Sequence, residues 1–190
     1  MSYLEKSQFN ARKAGQVIFY FLHQAKDLNI NISKLRLIKW IYLAERETYL
    51  RLGRPLIGDR LCSLKHGPVP SETLAIIEKK NQEWKHLIHV EHTPSRHQYI
   101  TISKICEYRS PDDLDEFTKS EDRILSDIWK EYGRLSGVKL EERLHNRQKF
   151  PEWEWKEGDK TNWISLEKLF SSLGFNSKDS QNIIEEITGH

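Results

Sequence analysis

The sequence predicts a mainly α-helical fold, a compact helical domain around a central buried helix, with a small β-hairpin that makes it α+β only at its margin. Apolar residues recur with the helical period over most of the chain. Residues 34–52 are apolar nearly all round in their first half, which is typical of the most buried helix of a fold. Residues 84–102 show a strand–turn–strand pattern instead. With 190 residues, one domain spanning 1–190 is expected.

The first two helices have clear start and stop signals. Asn10 is placed to cap the first helix, and Ser33 is placed to cap the second, which runs to about residue 52. Gly53 then stands where a left-handed C-cap belongs, and Pro55, which cannot continue a helix, follows it. We therefore expect structural roles for Gly53 and Pro55.

The middle of the chain predicts an extended segment, a turn, a third helix and a hairpin. Residues 60–65 are expected to be extended and to lead into the turn His66–Gly67–Pro68. Pro70 suits the first turn of the helix that follows. Residues 84–102 then predict the hairpin, with its turn at 93–96.

The rest of the chain predicts four more helices and one irregular segment. Pro111–Asp113 opens an acidic linker, where a domain boundary would fall if the chain had one. Residues 150–155 are aromatic and irregular. The candidate N-caps of the four helices are Thr118 or Ser120, Ser136, Ser165 and Ser177.

Charge is distributed unevenly along the chain. The basic part, 1–110, has 18 Lys and Arg against 10 Asp and Glu, and the acidic helical part, 111–190, has 12 against 18. A basic face could attract a nucleic acid or an acidic partner, or the two parts could simply pack together. Five cations decorate the second helix, but its interior positions are mostly apolar, so we expect a core helix rather than a groove-reading one. These cations are Lys34, Arg36, Lys39, Arg46 and Arg51.

Residues that could carry catalysis or bind a metal do not form a convincing set. Four histidines, His86, His89, His92 and His97, fall within the predicted hairpin, where alternate positions face opposite ways, so we expect no metal site. Cys62 and His66 are the residue types of a thiolate–imidazole pair, yet core packing is the expected role of Cys62.

The sequence also lacks the signatures of common enzymes and of membrane insertion. It contains no phosphate-binding loop, no dinucleotide fingerprint and no nucleophile-elbow motif, so we expect no enzyme activity and no cofactor. No apolar run approaches the roughly 18 residues of a membrane span, and the N-terminus has no secretory signal. A soluble cytoplasmic protein without a membrane partner is expected.

Glu45 and Glu47, flanked by arginines, predict ion pairs on the surface of the second helix.

Two glycine–proline turns are the most unusual local feature. Gly53-Arg54-Pro55-Leu56 ends the central helix, and Lys65-His66-Gly67-Pro68-Val69-Pro70 joins the extended segment to the third helix. Gly67 can adopt a positive φ, and Pro68 fixes the direction of the chain. Such rigid turns either hold side chains at a recognition surface or act only as connections between packed elements.

These segments resemble a known family. The run from Lys34 to Arg46, followed by Gly53-Arg54-Pro55-Leu56 and by Lys65–Pro70, resembles the Panacea, or SocA-like, antitoxin domain. Leu144-His145 and Glu152-Trp153 resemble that family's helix ending in His and its downstream Pro-x-Trp segment. The resemblance is strongest from Ser33 to Leu74.

The resemblance implies an antitoxin of bacteria or their phages that neutralises a toxin encoded by an adjacent gene through direct stoichiometric binding. Alternatives are a proteolytic adaptor for the toxin and a nucleic-acid-binding regulator that uses the basic part. Aromatic and arginine anchors dominate many interfaces. The residues expected to bind the partner or shape the site are Tyr42, Arg46, Arg54, Lys65, His66, Gly67, Pro68, Val69, Trp153 and Trp155. His145 is expected to hold the Trp153 segment by a hydrogen bond, a structural role.

Overall fold

Seven α-helices and five short β-strands make up the part of the chain that the computed structural model describes, residues 1–78, 84–92 and 98–189. The helices are α1 (Ala11–Asp27), α2 (Lys34–Leu52), α3 (Ser71–Glu78), α4 (Lys119–Tyr132), α5 (Gly137–Leu144), α6 (Leu166–Ser172) and α7 (Ser177–Thr188). The strands are β1 (Leu61–Leu64), β2 (Gly67–Pro70), β3 (Ile88–His92), β4 (Gln98–Ile102) and β5 (Asn162–Trp163). The prediction of a mainly α fold with a small β part is confirmed.

Helix α2 is the centre of the core, as its apolar pattern predicted. It contacts α1, α3, α4, α5, α6 and both sheets. Trp40 is fully buried between the rings of Phe21 and Trp129, at centroid distances of 5.7 and 5.2 Å, and its indole N–H donates to the Tyr132 carbonyl. Burying one large apolar side chain stabilises a fold by about 1.5–3 kcal/mol, so the unbroken buried run at residues 37–45 of α2 makes this helix the organising element of the core.

The helix boundaries follow the local capping signals. The predicted N-caps Asn10, Ser33, Thr118, Ser136 and Ser165 each accept a backbone N–H through the side chain. The last predicted cap is wrong by one residue. Asn176 accepts the Asp179 N–H and caps α7, whereas Ser177 is already helical. An asparagine side chain reaches the free N–H groups of the first turn as well as a serine does.

The predicted hairpin is confirmed, and a second sheet was missed. Strands β3 and β4 pair antiparallel from Ile88↔Ile102 to His92↔Gln98, and the predicted turn at 93–96 lies outside the described residues. The second sheet has the order β2-β1-β5. Its pairing of Cys62 with Trp163 joins segments that are distant in the sequence, so no local pattern announces it.

The predicted turn at 66–68 is shorter than expected. The chain turns at Lys65 and His66, and Gly67–Pro70 already forms strand β2. Pro70 therefore ends the strand, and α3 begins at Ser71. Two prolines are tolerated here because β2 is an edge strand of the described sheet, where the missing N–H groups break no ladder.

The acidic segment after residue 110 packs against the basic part of the chain. Pro111–Asp113 is a single 3-10 turn capped by Ser110. Asp115 then accepts two hydrogen bonds from Arg12 of α1, at 2.8 and 2.7 Å, and one from Gln16 at 2.7 Å. Buried side chains from the basic and the acidic parts belong to one hydrophobic cluster.

Glu45 is not the surface ion-pair residue that its arginine neighbours suggested. It is fully buried on α2, and its carboxylate accepts the backbone N–H groups of Leu56, Ile57 and Gly58 at 3.0, 2.8 and 3.1 Å. Burial raises the pKa of Glu45 to about 8, and the three N–H donors oppose that rise. The loop that follows Pro55 is thus held to the central helix by one side chain.

Replacing Glu45 by alanine should destabilise the fold strongly. The substitution leaves three buried N–H groups without an acceptor, each of which costs about 1–3 kcal/mol. We expect the free energy of unfolding to fall by at least about 3 kcal/mol in urea titrations.

Glu47→Ala is the matched control for Glu45→Ala, because Glu47 lies on the same helix and pairs with Arg51 near the surface at 2.6 Å. Its loss should cost about 0.5 kcal/mol, as for other surface pairs at this spacing. Equal losses in the two variants would contradict the role given to Glu45.

Candidate functional site

The turn before β2 is held against α2 by a buried lysine. Lys39 is fully buried, and its Nζ donates to the Pro68 carbonyl at 2.8 Å. Gly67 adopts a φ of +98°, and a Cβ at this position would lie 2.9 Å from Lys39 Nζ and 3.5 Å from His145 Cδ2. Glycine is therefore needed both for its conformation and for the close approach of these side chains.

Lys39 has an environment that the sequence did not reveal. The sequence predicts Lys39 as one of five cations that decorate the second helix, and this prediction is wrong for Lys39 because its side chain is in the core. Burial lowers the pKa of Lys39 to about 7, and the nearby carboxylate of Glu141 only partly offsets this. The amine is thus poised between its neutral and charged forms near neutral pH.

Trp153 lies beside this turn and is held by three contacts. Its ring stacks on His145, with centroids 4.1 Å apart and planes 7° from parallel, and the guanidinium of Arg147 lies 5.6 Å from its centre. Its indole N–H donates to the Leu64 carbonyl at 3.0 Å, directly before the turn. With 8% of its surface exposed, Trp153 presents little more than one edge to solvent.

The contact between His145 and the Trp153 segment is stacking, not the predicted hydrogen bond. His145 Nε2 is buried and has no hydrogen-bond partner among the described residues. Burial lowers the pKa of His145, with Lys39 and His66 acting in the same direction and Glu141 opposing them. A neutral ring facing an aromatic ring fits this environment.

Tyr42 and Arg46 meet on a buried carboxylate. Glu152 is fully buried, and its Oε1 accepts the Tyr42 hydroxyl at 2.5 Å and Arg46 Nε at 2.6 Å. Burial and the Glu152 charge raise the pKa of Tyr42 well above its ordinary value, so the phenol remains a donor. Arg46 also donates to the Lys149 carbonyl. Tyr42 is itself fully buried and contacts no solvent, so it shapes the segment rather than offering a contact surface.

The other proposed anchor, Arg54, belongs to a different part of the molecule. Its Nη1 and the Nζ of Lys13 both lie 2.8 Å from Oε1 of Glu121, a buried residue that also forms the capping box of α4. Arg54 thus fastens the loop after Gly53 to α4. Gly53 ends α2 with a φ of +64° and its N–H on the Tyr49 carbonyl, as predicted.

Of the remaining candidates, the structure brings Lys65 and His66 to the same surface as Trp153. Pro68 and Val69 are buried behind the turn, and Trp155 is half-buried with its indole N–H on the Asp159 carbonyl. Lys65, His66 and Arg147 are exposed. We call Lys65, His66, His145, Arg147 and Trp153 the turn–Trp153 surface.

Two members of this site were missed by sequence reasoning. Arg147 follows a helix in a mixed-charge stretch, where nothing local marks it as the neighbour of an aromatic ring six residues on. Lys39 lies in the run from Lys34 to Arg46 that carries the family resemblance, and its apolar neighbours indicate its position. A lysine within an apolar run of a central helix must be buried or must bend out to solvent.

The remaining cations of α2 are engaged within the molecule. Lys34 pairs with Glu78 at 2.5 Å, Arg36 donates to the Gly133 carbonyl at 2.8 Å, and Arg51 pairs with Asp127 at 2.7 Å. They do not form the open basic face that nucleic-acid recognition would need.

The described residues show little that would support other chemistries. They contain no group of three potential metal ligands, although His97 and the side chain of His92 lie outside the described part. Burial raises the pKa of Cys62 to about 12, which opposes a thiolate nucleophile. Within the same residues, no helix has the length and apolarity needed to cross a membrane.

Comparison with known families identifies the domain. The model of the antitoxin SocA-like, Panacea domain matches residues 37–154, well over half of the chain. The chain belongs to this family. The matched region runs from the first core residues of α2 to the residue after Trp153, so it contains the whole turn–Trp153 surface. No curated protein and no solved structure matches the chain significantly.

Gly67→Ala should cost more stability than the same change at a glycine with equal backbone strain. Gly158 is the matched control, with a φ of +96° and no described atom within 4 Å of its would-be Cβ, against +98° and Lys39 at Gly67. Strain at positive φ costs about 1–2 kcal/mol at either site. The clash at Gly67 should add about 1–3 kcal/mol.

Urea unfolding of the two glycine variants measures the difference, and a Lys39→Ala background tests its cause. Shortening Lys39 removes the atom that the new Cβ meets, so the gap between the variants should narrow there. A gap that is absent, or that survives in this background, would contradict the packing of Lys39 under Gly67.

Proposed function

We propose that this protein is an antitoxin that neutralises a cognate protein toxin, encoded by an adjacent gene, through direct stoichiometric binding at the turn–Trp153 surface. The supporting observation is that three motifs of the matched Panacea region, Lys65–Pro70, Leu144-His145 and Glu152-Trp153, meet at this surface, where Trp153 stacks on His145 and His145 borders Gly67. The role requires binding and no bond-making chemistry, so we propose a cytoplasmic protein that is not an enzyme and needs no cofactor.

Rigidity is the first argument for this surface. Lys39 holds the turn, Glu152 joins the Trp153 segment to α2, and the Trp153 indole N–H fastens that segment to β1. A surface that is already ordered loses little conformational entropy on binding. Stoichiometric inhibition depends on such tight binding, because each inhibitor molecule must keep one toxin molecule inactive.

Chemical composition is the second argument. The edge of one tryptophan lies among the exposed side chains of Lys65, His66 and Arg147. Interfaces typically have an aromatic or arginine anchor at the centre and a polar rim. A toxin face with carboxylates around an apolar pocket would complement this arrangement.

The alternatives make different demands on the chain. A nucleic-acid-binding regulator would use the basic part, 1–110, and the cations that this part carries on α2 are engaged in internal contacts. A proteolytic adaptor would use the same toxin contact and would in addition lower the amount of toxin in the cell. No contact among the residues that the structure describes favours either one over direct neutralisation.

Growth rescue tests the proposed function. Each open reading frame next to the gene is induced alone and then together with this protein. We expect one neighbour to arrest growth alone and to become harmless on co-expression, with the toxin still present on an immunoblot and recovered in a complex. Rescue accompanied by loss of the toxin would assign the adaptor role, and no toxic neighbour would overturn the proposal.

The double variant Lys65→Glu/Arg147→Glu should lose rescue. Reversing two exposed cations around the Trp153 anchor would set like charges against the carboxylates of the partner, which typically weakens binding by at least about tenfold. Because neither side chain is buried, the free energy of unfolding should fall by no more than about 1 kcal/mol, which is the contribution of an exposed cation–π contact such as that of Arg147 with Trp153. Affinity for the neighbour protein that passes the rescue test is the direct measurement.

The control for this double variant is Lys160→Glu/Lys178→Glu, which makes the same change in net charge at two exposed lysines outside the matched region. It should rescue growth normally. Equal weakening by both variants would indicate general charge attraction and would remove the turn–Trp153 surface from the contact.

A further inference from the structure

The amine of Lys39 is buried without a carboxylate partner. Nζ donates to the Pro68 carbonyl, and no Asp or Glu oxygen lies within ion-pair distance of it among the described residues. Lys13, the other buried lysine of the described part, instead contacts Glu121 at 2.8 Å. A buried ammonium without a carboxylate partner is costly. The environment of Lys39 therefore favours the neutral amine, whereas Glu121 stabilises the charged form of Lys13.

The charged groups around Lys39 do not resolve this cost. Glu141 on α5 attracts the proton, but its Oε1 is 2.9 Å from His66 Nδ1 at the rim. His145, at the end of α5, borders the same space beside Gly67, and its buried Nε2 has no hydrogen-bond partner among the described residues. Cys62 on β1 is the remaining titratable neighbour, and burial keeps its thiol protonated.

We propose that Lys39 acts as a proton-sensitive latch on the turn–Trp153 surface, closed while the amine is neutral and loosened when the amine is protonated. The latch is a property of the isolated chain. Its consequence for a bound toxin rests on the proposed function.

A protonated Lys39 would have more N–H donors than the site has acceptors. An ammonium has three N–H donors, and the Pro68 carbonyl accepts one of them, so two would stay buried without an acceptor until water reaches them. The backbone of Gly67 and the ring of His145 occupy the adjacent space. Water that reaches Nζ from this side therefore requires the turn or the His145–Trp153 stack to move. Movement of the turn strains the hydrogen bond between the Trp153 indole and the Leu64 carbonyl.

The sign of the pH dependence follows from proton uptake. The folded chain holds the Lys39 proton only below a pKa of about 7, whereas an unfolded lysine holds it up to about 10.5. Unfolding therefore takes up a proton between these values. Raising the pH through this window stabilises the wild type relative to a variant without the amine, by up to about tenfold per pH unit in the equilibrium constant.

Hydrogen exchange of the Trp153 indole N–H is the first test, with Trp153→Phe to assign the signal. After correction for the intrinsic exchange rate, we expect the protection of this N–H in the wild type to be about five- to tenfold lower at pH 6 than at pH 8. The reason is that Lys39, with a pKa of about 7, takes up most of one proton over this range. Lys39→Met, which keeps the length and removes the charge, should show equal protection at both. Lys178→Met, at an exposed site, should behave as wild type.

Direct titration of the lysine Cε resonances needs no variant, so a poorly folded Lys39→Met would not block the test. One lysine should titrate near pH 7, against about 10.4 for ordinary lysines. A chain in which every lysine titrates above pH 9, or in which Trp153 protection has the same pH dependence with and without Lys39, overturns the latch.

The two proposals fail separately. Absence of a toxic neighbour overturns the antitoxin role and leaves the titration of the isolated chain to decide the latch. Intact growth rescue together with an ordinary Lys39 titration overturns only the latch. With both intact, the affinity for the rescued neighbour protein should fall from pH 8 to pH 6 in the wild type and stay level in Lys39→Met.

Discussion

Residues 37–45 of α2 are all buried, so the polar side chains among them must find their partners in other segments of the chain. Lys39 binds the carbonyl of Pro68, Tyr42 and Arg46 bind Glu152, and Glu45 binds the loop after Pro55. Three connections of the fold are therefore attached to one helix by hydrogen bonds in an apolar interior. Breaking one of these hydrogen bonds leaves a buried polar group unpaired, which costs about 1–3 kcal/mol of folding free energy. Alternative packings of the three connections are disfavoured by that amount.

The spacing of these polar residues assigns them to different sides of the helix. Positions 39, 42 and 46 form one stripe at intervals of three and four residues, and this stripe faces the turn and the Trp153 segment. Glu45 points roughly a third of a turn away, toward residues 56–58. One helix thus both organises the core and positions a surface, so changes at that surface are coupled to the helix that holds the domain together.

Many charges of the basic part form ion pairs with the acidic part of the same chain. Arg12, Lys13, Arg51 and Arg54 of the basic part bind acidic residues of the part after residue 110. The exposed cations at the turn–Trp153 surface stand out against this background. Their placement beside an ordered aromatic ring, in the region matched by the Panacea family, is the basis for assigning the partner contact there.

The sequence by itself determined the helices and their limits, because capping and apolar periodicity are local properties. Asn10, Ser33 and Gly53 each bind backbone groups within about one turn of their own position in the sequence. The family motifs are also short local patterns, so the sequence alone shows them. The tertiary structure decided which charged residues are buried. Glu45 looks like a surface residue beside its arginine neighbours, and a lysine in an apolar run, such as Lys39, is compatible with burial or with bending out to solvent. Distant segments that close over α2 decide that both are enclosed. It also decided the second sheet, in which Cys62 meets Trp163, because strand pairing between remote segments depends on the packing of everything between them.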